Sequence, residues 1–266
     1  MIIIGKKRII ILSLLAVISI FACSIVTKRK ENTVETVALP VTNKVIVLDA
    51  RTWSTRWTEH KVALGTTEAE TNLKIALKVQ SLLEQSGATV ILTRSDENAI
   101  YDLDSKTLKQ KKISDIHNRV KIGNESSADI FVSIHLNKIP QEQYWGWQCF
   151  YKDGNESSIK LAKSLQQNLN EAIQKENKRV AMKLDTVYIM KHVEIPISIV
   201  ECGFLSNKEE EKLLLEDSYQ DKLAWGIYNG IIDYFYEWRV GDVFKCVICP
   251  FCIIFLYSRN IDLKMF

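Results

Sequence analysis

The chain has 266 residues, of which 47% are hydrophobic and 25% are charged. This length and apolar content are sufficient for one well-buried domain with short appendages. The formal net charge is only +3, and the lysines and arginines are interspersed with comparable numbers of acids. The charge pattern therefore describes an ordinary solvated surface and gives no reason to expect a nucleic-acid-binding protein.

The first 30 residues differ in composition from the rest of the chain. An uncharged apolar run at residues 9–26 lies between basic clusters at residues 6–8 and 28–30. The run is at the short limit for a membrane span and long for the core of a cleaved signal peptide, and no Ala-x-Ala cleavage site follows it. We predict that residues 1–30 form a signal anchor that holds the rest of the chain outside the cytoplasm. Because basic residues flank both ends of the run, the positive-inside rule gives only a weak prediction of its orientation in the membrane.

Residues 31–43 are polar and Thr-rich and are predicted to be a linker, followed by one domain at residues 44–237. The domain begins with a short apolar strand, Val45 to Leu48. A helix then begins at the capping-box pattern Thr67-x-x-Glu70 and ends before Gly87. Apolar spacing predicts further strands at 89–92, 130–134, 187–190 and 197–200, and helices at 113–122, 159–173, 213–215 and 223–235. The connection at residues 95–112 is predicted to be polar and irregular.

Strands that alternate with helices predict an α/β fold. We expect a single catalytic domain with a mostly parallel twisted sheet, covered by helices on both faces, behind the N-terminal membrane anchor. Functional groups in such sheets gather outside the carboxyl ends of the strands.

Of the six cysteines, two lie within the predicted domain, three lie in the C-terminal tail, and Cys23 lies in the N-terminal apolar run. Cys149 and Cys202 lie within the predicted domain in apolar, strand-like surroundings, which favours two buried free thiols, with a disulfide between them as the alternative. The tail at residues 238–266 contains Cys246-x-x-Cys249-x-x-Cys252, a spacing that can hold a metal cluster, but no fourth ligand is near. We interpret this tail as an atypical extension.

Two blocks carry groups suited to catalysis: residues 133–137 (Ser-Ile-His-Leu-Asn) and residues 200–207 (Val-Glu-Cys-Gly-Phe-Leu-Ser-Asn). Each ends an apolar run that predicts a buried strand, so His135 and Glu201 are expected at the carboxyl ends of two strands. A neutral imidazole and a carboxylate in that position suit a zinc ion and the base that works beside it.

With the pattern Glu-Ala-Glu-Thr-Asn-Leu at residues 68–73, these blocks resemble the zinc-dependent N-acetylmuramoyl-L-alanine amidases, from about Lys44 to Tyr236. The resemblance implies one Zn²⁺ and hydrolysis of the amide between N-acetylmuramic acid and L-alanine in peptidoglycan. It makes Glu68 and His135 metal ligands and Glu201 the catalytic carboxylate. Glu201 would take a proton from the metal-bound water and return it to the departing nitrogen.

Each of these residues also has a plainer explanation. Glu68 suits the first turn of a helix, where the dipole favours an acid, and His135 suits a hydrogen-bonded core position. Glu201 is harder to explain structurally, because it directly follows the buried run Ile-Ser-Ile-Val. His117 is predicted on the surface of a polar helix. His192 is placed on a loop before Pro196, where contact with substrate and no contact are equally good interpretations.

The loop after Asp49-Ala50 departs from the family. The family has Gly-His-Gly-Gly, whereas residues 51–54 of this chain read Arg-Thr-Trp-Ser. Thr52, a poor zinc ligand, therefore stands at the position of the first zinc histidine. His60 would replace it only if the loop refolded. We predict weak zinc binding and an impaired amidase; the alternative is a non-catalytic peptidoglycan-binding pseudoenzyme.

A shift of reading frame would explain this loop. The codons AGG-ACA-TGG for Arg51-Thr52-Trp53, read one base later, give GGA-CAT-GG, which encodes Gly-His-Gly. We hypothesise that residues 51–64 are read out of frame, with a compensating shift before Gly65, and that the tail at 238–266 has the same origin. A gene without a GGACATGG-like run at this position would refute the hypothesis.

A bare catalytic domain behind a membrane segment resembles the sporulation and germination branch of the family. That resemblance implies action on spore cortex, where muramic δ-lactam is made together with a muramic acid deacetylase. The expected partners are peptidoglycan glycan-peptide strands, the membrane through residues 1–30 and the deacetylase, with no nucleic acid. The expected location is the outer side of the cytoplasmic membrane, in the cell wall or spore cortex space.

Overall fold

A six-stranded sheet runs through the part of the chain that the computed structural model describes, residues 38–52 and 67–236. The strand order is β2-β1-β3-β6-β4-β5. The strands are β1 (Val45–Ala50), β2 (Thr89–Leu92), β3 (Ile130–Asn137), β4 (Gln148–Tyr151), β5 (Met182–Lys183) and β6 (Ile197–Phe204).

The sheet is mixed, with one antiparallel pairing. Strand β1 pairs in parallel with β2 and β3, β3 with β6, and β4 with β5, whereas β4 runs antiparallel to β6. The prediction of a mostly parallel sheet is therefore confirmed, but β4 and β5 were missed. Residues 138–147, which join β3 to β4, contain no helix. A parallel return needs a longer crossover, so β4 reverses direction.

Helices cover both faces of the sheet, as predicted. Side chains along a strand alternate between faces. Ile46 and Leu48 of β1 therefore point into one apolar layer and Val47 into the other. Helices α1, α3, α5 and α6 contribute to the first layer, and α2 and α4 to the second. Their bounds are α1 (Glu68–Gln85), α2 (Leu108–Glu125), α3 (Glu156–Ile173), α4 (Tyr188–His192), α5 (Lys208–Leu215) and α6 (Asp217–Phe235).

The helix boundaries follow local chemistry. The Thr67 side chain accepts a hydrogen bond from the Glu70 backbone, while the Glu70 carboxylate pairs with Lys74 on the next turn. The Thr67 half of the predicted capping box is therefore formed, whereas the Glu70 side chain binds Lys74 instead. Gly87 has a φ of 84°, in the left-handed region that glycine adopts most readily, and the chain turns there into β2.

Two predicted elements were wrong. Residues 187–190 were predicted as a strand, but Tyr188–His192 form the helix α4. Four apolar residues are too few to distinguish a strand from one helical turn by periodicity. Helix α2 begins at Leu108, inside the stretch predicted to be irregular, because Thr107 and Gln110 form a complete capping box there.

Cys149 and Cys202 are both buried and free, so the alternative of a disulfide between them was wrong. Burial raises the pKa of both thiols well above the ordinary value. They therefore behave as small apolar side chains in the core rather than as nucleophiles.

Within residues 38–52 and 67–236, no helix is both long enough and apolar enough to cross a bilayer. The predicted anchor at residues 1–30 lies outside the described residues, as does the linker up to residue 37. The same holds for His60 and for the tail from residue 237 onward.

Candidate active site

His135 and Glu201 lie opposite each other on neighbouring parallel strands, near the carboxyl ends of β3 and β6. The His135 Nδ1 atom is 3.6 Å from Glu201 Oε1. Strand β3 continues to Asn137, so His135 lies within the strand rather than directly after it, as its predicted end at residue 134 implied. A register irregularity between His135 and Asn137 follows immediately. Irregularities of this kind often accompany active sites.

Glu68 reaches the same edge of the sheet from the first turn of α1 and is only 8% exposed. Burial raises the pKa of Glu68 to about 7; the nearby Glu201 carboxylate adds to this rise, and the Arg51 charge opposes it. The structure therefore brings Glu68, His135 and Glu201 together, as the sequence predicted. Their chemical roles stay predictions.

Two oxygen atoms at this edge are buried without a hydrogen-bond partner among the described residues: Glu68 Oε1 and Glu201 Oε2. A buried carboxylate oxygen normally has a donor or a cation beside it. The plainer explanation of Glu68, an acid in the first turn favoured by the helix dipole, does not account for a buried oxygen without a partner. The two oxygens are what a site that binds a cation or a reacting group would present.

The His135 ring is held by a directional chain of hydrogen bonds. Its Nδ1 lies 3.2 Å from the Arg51 guanidinium nitrogen Nη1, and its Nε2 lies 2.8 Å from Ser133 Oγ. A guanidinium can only donate, so Nδ1 must accept and the ring proton must be on Nε2. Ser133 then accepts from Nε2 and donates its own proton to Asp49 Oδ2. We assign the neutral Nε2–H tautomer to His135 from this chain.

Beneath His135, a buried ionic network joins β1 to α2. Arg119 donates to Asp49 and, with Nε at 2.9 Å, to Asp115 Oδ2, and its side chain is only 2% exposed. Burial alone would raise the pKa of Asp49, but the Arg119 charge and the Ser133 hydrogen bond hold it below the ordinary value.

The sequence analysis missed this network and assigned no role to Arg119. The available signal was the pair of opposite charges at positions 115 and 119, four residues apart and beside the buried Val120.

Thr52, which the sequence analysis matched to the family's first zinc histidine, is bound into the same network. Its hydroxyl accepts a hydrogen bond from Arg119 Nη2 at 2.8 Å and donates to Asp115 Oδ2 at 3.5 Å. Both hydrogen-bond partners of the hydroxyl therefore belong to α2.

The donor set does not fit a zinc ion held by three protein ligands. Among residues 38–52 and 67–236, no group of three or more His, Cys, Asp or Glu side chains is placed to hold a metal ion. The unpartnered oxygens of Glu68 and Glu201 would suit a cation, but the His135 lone pair is engaged by Arg51 and the Thr52 hydroxyl by Arg119. A zinc site needs three such donors free at the same time.

A cavity of about 320 Å³ adjoins His135 and is bounded by α2 and α4. Arg51, Lys112 and Asp115 give it charged walls, and isoleucines from both helices give it an apolar floor. Tyr188, which also lines the cavity, stacks on His192 with ring centroids 3.8 Å apart. His192 is the last residue of α4 and does not lie on a loop, contrary to the prediction. Its ring packs against Tyr188, which lines the cavity. His117 is exposed, as predicted.

Glu210, another residue that the sequence analysis missed, holds the end of the Glu201 strand in place. Its carboxylate accepts hydrogen bonds from the backbone N–H groups of Gly146 and Phe204, at 2.8 Å each. A Cβ atom at Gly203 would lie 3.0 Å from this carboxylate, so the approach requires a residue without a side chain. The signal in the sequence was Asn207, which caps α5 by accepting hydrogen bonds from the backbone N–H groups of Glu209 and Glu210 and so places Glu210 in the first turn, beside the end of the strand.

Comparison with known proteins gives consistent matches. The family model described as N-acetylmuramoyl-L-alanine amidase matches residues 58–233. The germination-specific N-acetylmuramoyl-L-alanine amidase of Bacillus subtilis (strain 168) is 36% identical over 170 residues, which are 64% of this chain and 71% of that protein.

Solved structures agree. The CwlD amidase from Clostridioides difficile, in complex with the GerS lipoprotein, is 40% identical with a TM-score of 0.67, covering 72% of this chain and 98% of that one. An N-acetylmuramoyl-L-alanine amidase from Clostridium difficile 630 is 26% identical with a TM-score of 0.61, covering 73% and 97%.

Proposed function

Because the chain belongs to the N-acetylmuramoyl-L-alanine amidase family, we propose that its site is built to hydrolyse the amide between N-acetylmuramic acid and L-alanine, and that hydrolysis is impaired in this chain. One observation supports both parts. The Glu201 carboxylate lies 3.6 Å from His135, with Glu68 beside it, whereas Thr52 is bound to Arg119 and offers no ligand.

Glu201 is the residue best placed to move a proton. Its Oε2 atom is buried without a partner among the described residues, so it can accept a proton from a water molecule and later donate it to the departing nitrogen. General acid–base catalysis of this kind contributes roughly 10²–10⁴-fold, whereas enzymes commonly reach about 10⁶-fold or more. A chain that retains Glu201 but does not hold the family's Zn²⁺ should therefore keep only a small part of the activity.

The biological setting that we propose is spore cortex maturation. The 36% identity to an amidase named for germination supports this branch of the family. The substrate would be cortex peptidoglycan, and the product would be used with a muramic acid deacetylase to form muramic δ-lactam. We further propose that residues 1–30 anchor the domain on the outer side of the cytoplasmic membrane.

The test is hydrolysis of isolated spore peptidoglycan, measured as newly released N-terminal alanine. The unmodified chain is compared with a triple variant, Arg51→Gly, Thr52→His and Trp53→Gly, which restores the Gly-His-Gly of the family at residues 51–53. We expect the triple variant to hydrolyse the substrate at least 100-fold faster. Adding Glu201→Gln to it should remove the gain. An unmodified chain that is as fast as the triple variant would overturn the proposed impairment.

A second candidate function is peptidoglycan binding without catalysis. The cavity of about 320 Å³ beside His135 favours it, because a binding cavity is present although the donor set for zinc is not. Binding of muramyl-peptide fragments by the unmodified chain, together with no gain of hydrolysis in the triple variant, would support this function over the first.

A further inference from the structure

The backbone of Arg51 is held by hydrogen bonds at both its N–H group and its carbonyl group. Its N–H donates to the Ile134 carbonyl at 3.2 Å, as part of the sheet edge. Its own carbonyl accepts from Asn72 Nδ2 at 3.2 Å and from Arg94 Nη2 at 3.1 Å. The side chain of Arg51 therefore leaves from a fixed point beside the ends of β1 and β3.

From that point the guanidinium reaches the His135 imidazole, which a metal ion would need as a ligand. Its Nη1 lies 3.2 Å from His135 Nδ1, and its charge acts on Glu68 strongly enough to oppose the rise of that carboxyl pKa. The imidazole is already oriented as in a metal site, because its other nitrogen donates to Ser133, and Ser133 donates to Asp49. The difference from a metal site is that Arg51, and not a metal ion, lies against the Nδ1 lone pair.

We propose that Arg51 is a fixed cation in the position of the family's metal ion, and that its side chain closes the site to divalent metals. The proposal rests on the proposed function, which supplies the expectation of a metal at this position. A guanidinium keeps its charge at all accessible pH values. A divalent ion approaching Nδ1 would meet a like charge at contact distance, and the arginine would have to leave for the ion to bind.

This assignment separates two causes of weak metal binding. If Thr52 alone were responsible, Thr52→His would restore binding with Arg51 still present. If Arg51 closes the site, Thr52→His fails and Arg51→Ala opens a weaker site that uses Glu68 and His135. The two substitutions together should then bind most tightly.

The experiment is a titration with Zn²⁺ alone, followed by isothermal calorimetry and without substrate. We expect Arg51→Ala to bind zinc at least tenfold more tightly than the unmodified chain, and His135→Gln in the same background to abolish the gain. Lys112→Ala is the matched control, because it removes the same charge from the wall of the same cavity without touching His135. It should leave zinc binding unchanged.

Two results would overturn the proposal: equal zinc affinity of Arg51→Ala and the unmodified chain, or full binding by Thr52→His with Arg51 retained. A second measurement, which needs no variant, is the ¹⁵N spectrum of His135. Its Nδ1 should carry no proton in the unmodified chain, and a protonated Nδ1 would also overturn the proposal. Because no substrate is present, these outcomes are independent of whether the chain hydrolyses peptidoglycan.

Discussion

Asp49 and Ser133 are register partners on β1 and β3, and the Ser133 hydroxyl donates to the Asp49 carboxylate from that position. Ser133 also lies two residues before His135 on the same face of the strand. The Nε2 side of the imidazole is therefore oriented by the sheet and by buried polar groups, whereas the loop that follows Ala50 reaches the ring on its Nδ1 side through Arg51. The support on the Nε2 side does not involve the residues at 51–54 that differ from the family.

Ser133→Ala tests that support. The substitution leaves His135 Nε2–H and Asp49 Oδ2 without their shared partner, so we expect the free energy of unfolding to fall by about 1–3 kcal/mol. Urea denaturation measures the loss. Ser198→Ala, on the adjacent strand, removes one hydrogen bond to the Phe150 carbonyl and is the matched control. Equal losses in the two variants would contradict a special role for Ser133.

Arg119→Met tests the ionic network that joins β1 to α2. It leaves Asp49 and Asp115 buried without their cation, and removing one partner of a buried ion pair commonly costs about 3–5 kcal/mol. We expect a large decrease in the melting temperature. Lys121→Met, at an exposed position on the same helix, should change it little. Similar melting temperatures for the two variants would show that the network contributes little.

Stability should depend on pH through Glu210. Burial raises the pKa of this carboxyl above the ordinary glutamate value, so the folded chain holds the proton more tightly than the unfolded chain. Stability is then lost as pH rises from the ordinary value through the raised one, and it is level outside that window. Glu210→Gln removes this titration.

The measurement for Glu210 is the unfolding free energy of both proteins by urea denaturation between pH 4 and pH 8. The advantage of the unmodified chain over Glu210→Gln should shrink as pH rises across the window. An advantage that grows or stays constant with pH would show that the shift has been assigned the wrong direction.

Gly230→Ala tests the close packing of α3 against α6. A Cβ atom at Gly230 would lie 2.7 Å from the Leu165 Cα atom, and backbone cannot move aside as a flexible side chain can. Replacing glycine by alanine within a helix normally gains about 1 kcal/mol. We expect the clash to outweigh this gain and produce a net loss of about 1–3 kcal/mol.

The control for Gly230 is Gly154→Ala, where no atom lies within 4 Å of the added carbon and φ is 69°. That variant reports only the cost of a left-handed alanine, about 1–2 kcal/mol. A stabilised Gly230→Ala protein would show that the two helices can separate freely.

The sequence was sufficient to predict the parts of the fold that have strong periodicity. Strands β1, β3 and β6 are nearly continuous apolar runs because helices cover both of their faces, and α3 and α6 have clear helical spacing. The short strand β5 and helix α4 contain too few residues to show a period. The meeting of Glu68, His135 and Glu201 was predicted from the resemblance to the family, with His135 and Glu201 also expected at strand ends.

What the sequence did not reveal was how charged residues pair in three dimensions. Arg51 was treated only as a replacement for a loop glycine, yet its side chain returns to His135. Arg119 was given no role, yet it pairs in the core with Asp49, on a strand far away along the chain. Pairings of this kind depend on which strands become neighbours, and no local pattern records that choice.

The buried network of Asp49, Arg119 and Asp115 joins the edge of the sheet to α2 by direct bonds between side chains. Substitutions in the loop beyond Thr52 would leave these bonds in place, because none of the three side chains comes from that loop. The scaffold beneath His135 is therefore expected to tolerate exchange of the loop, which makes this chain a suitable host for the loops of its relatives.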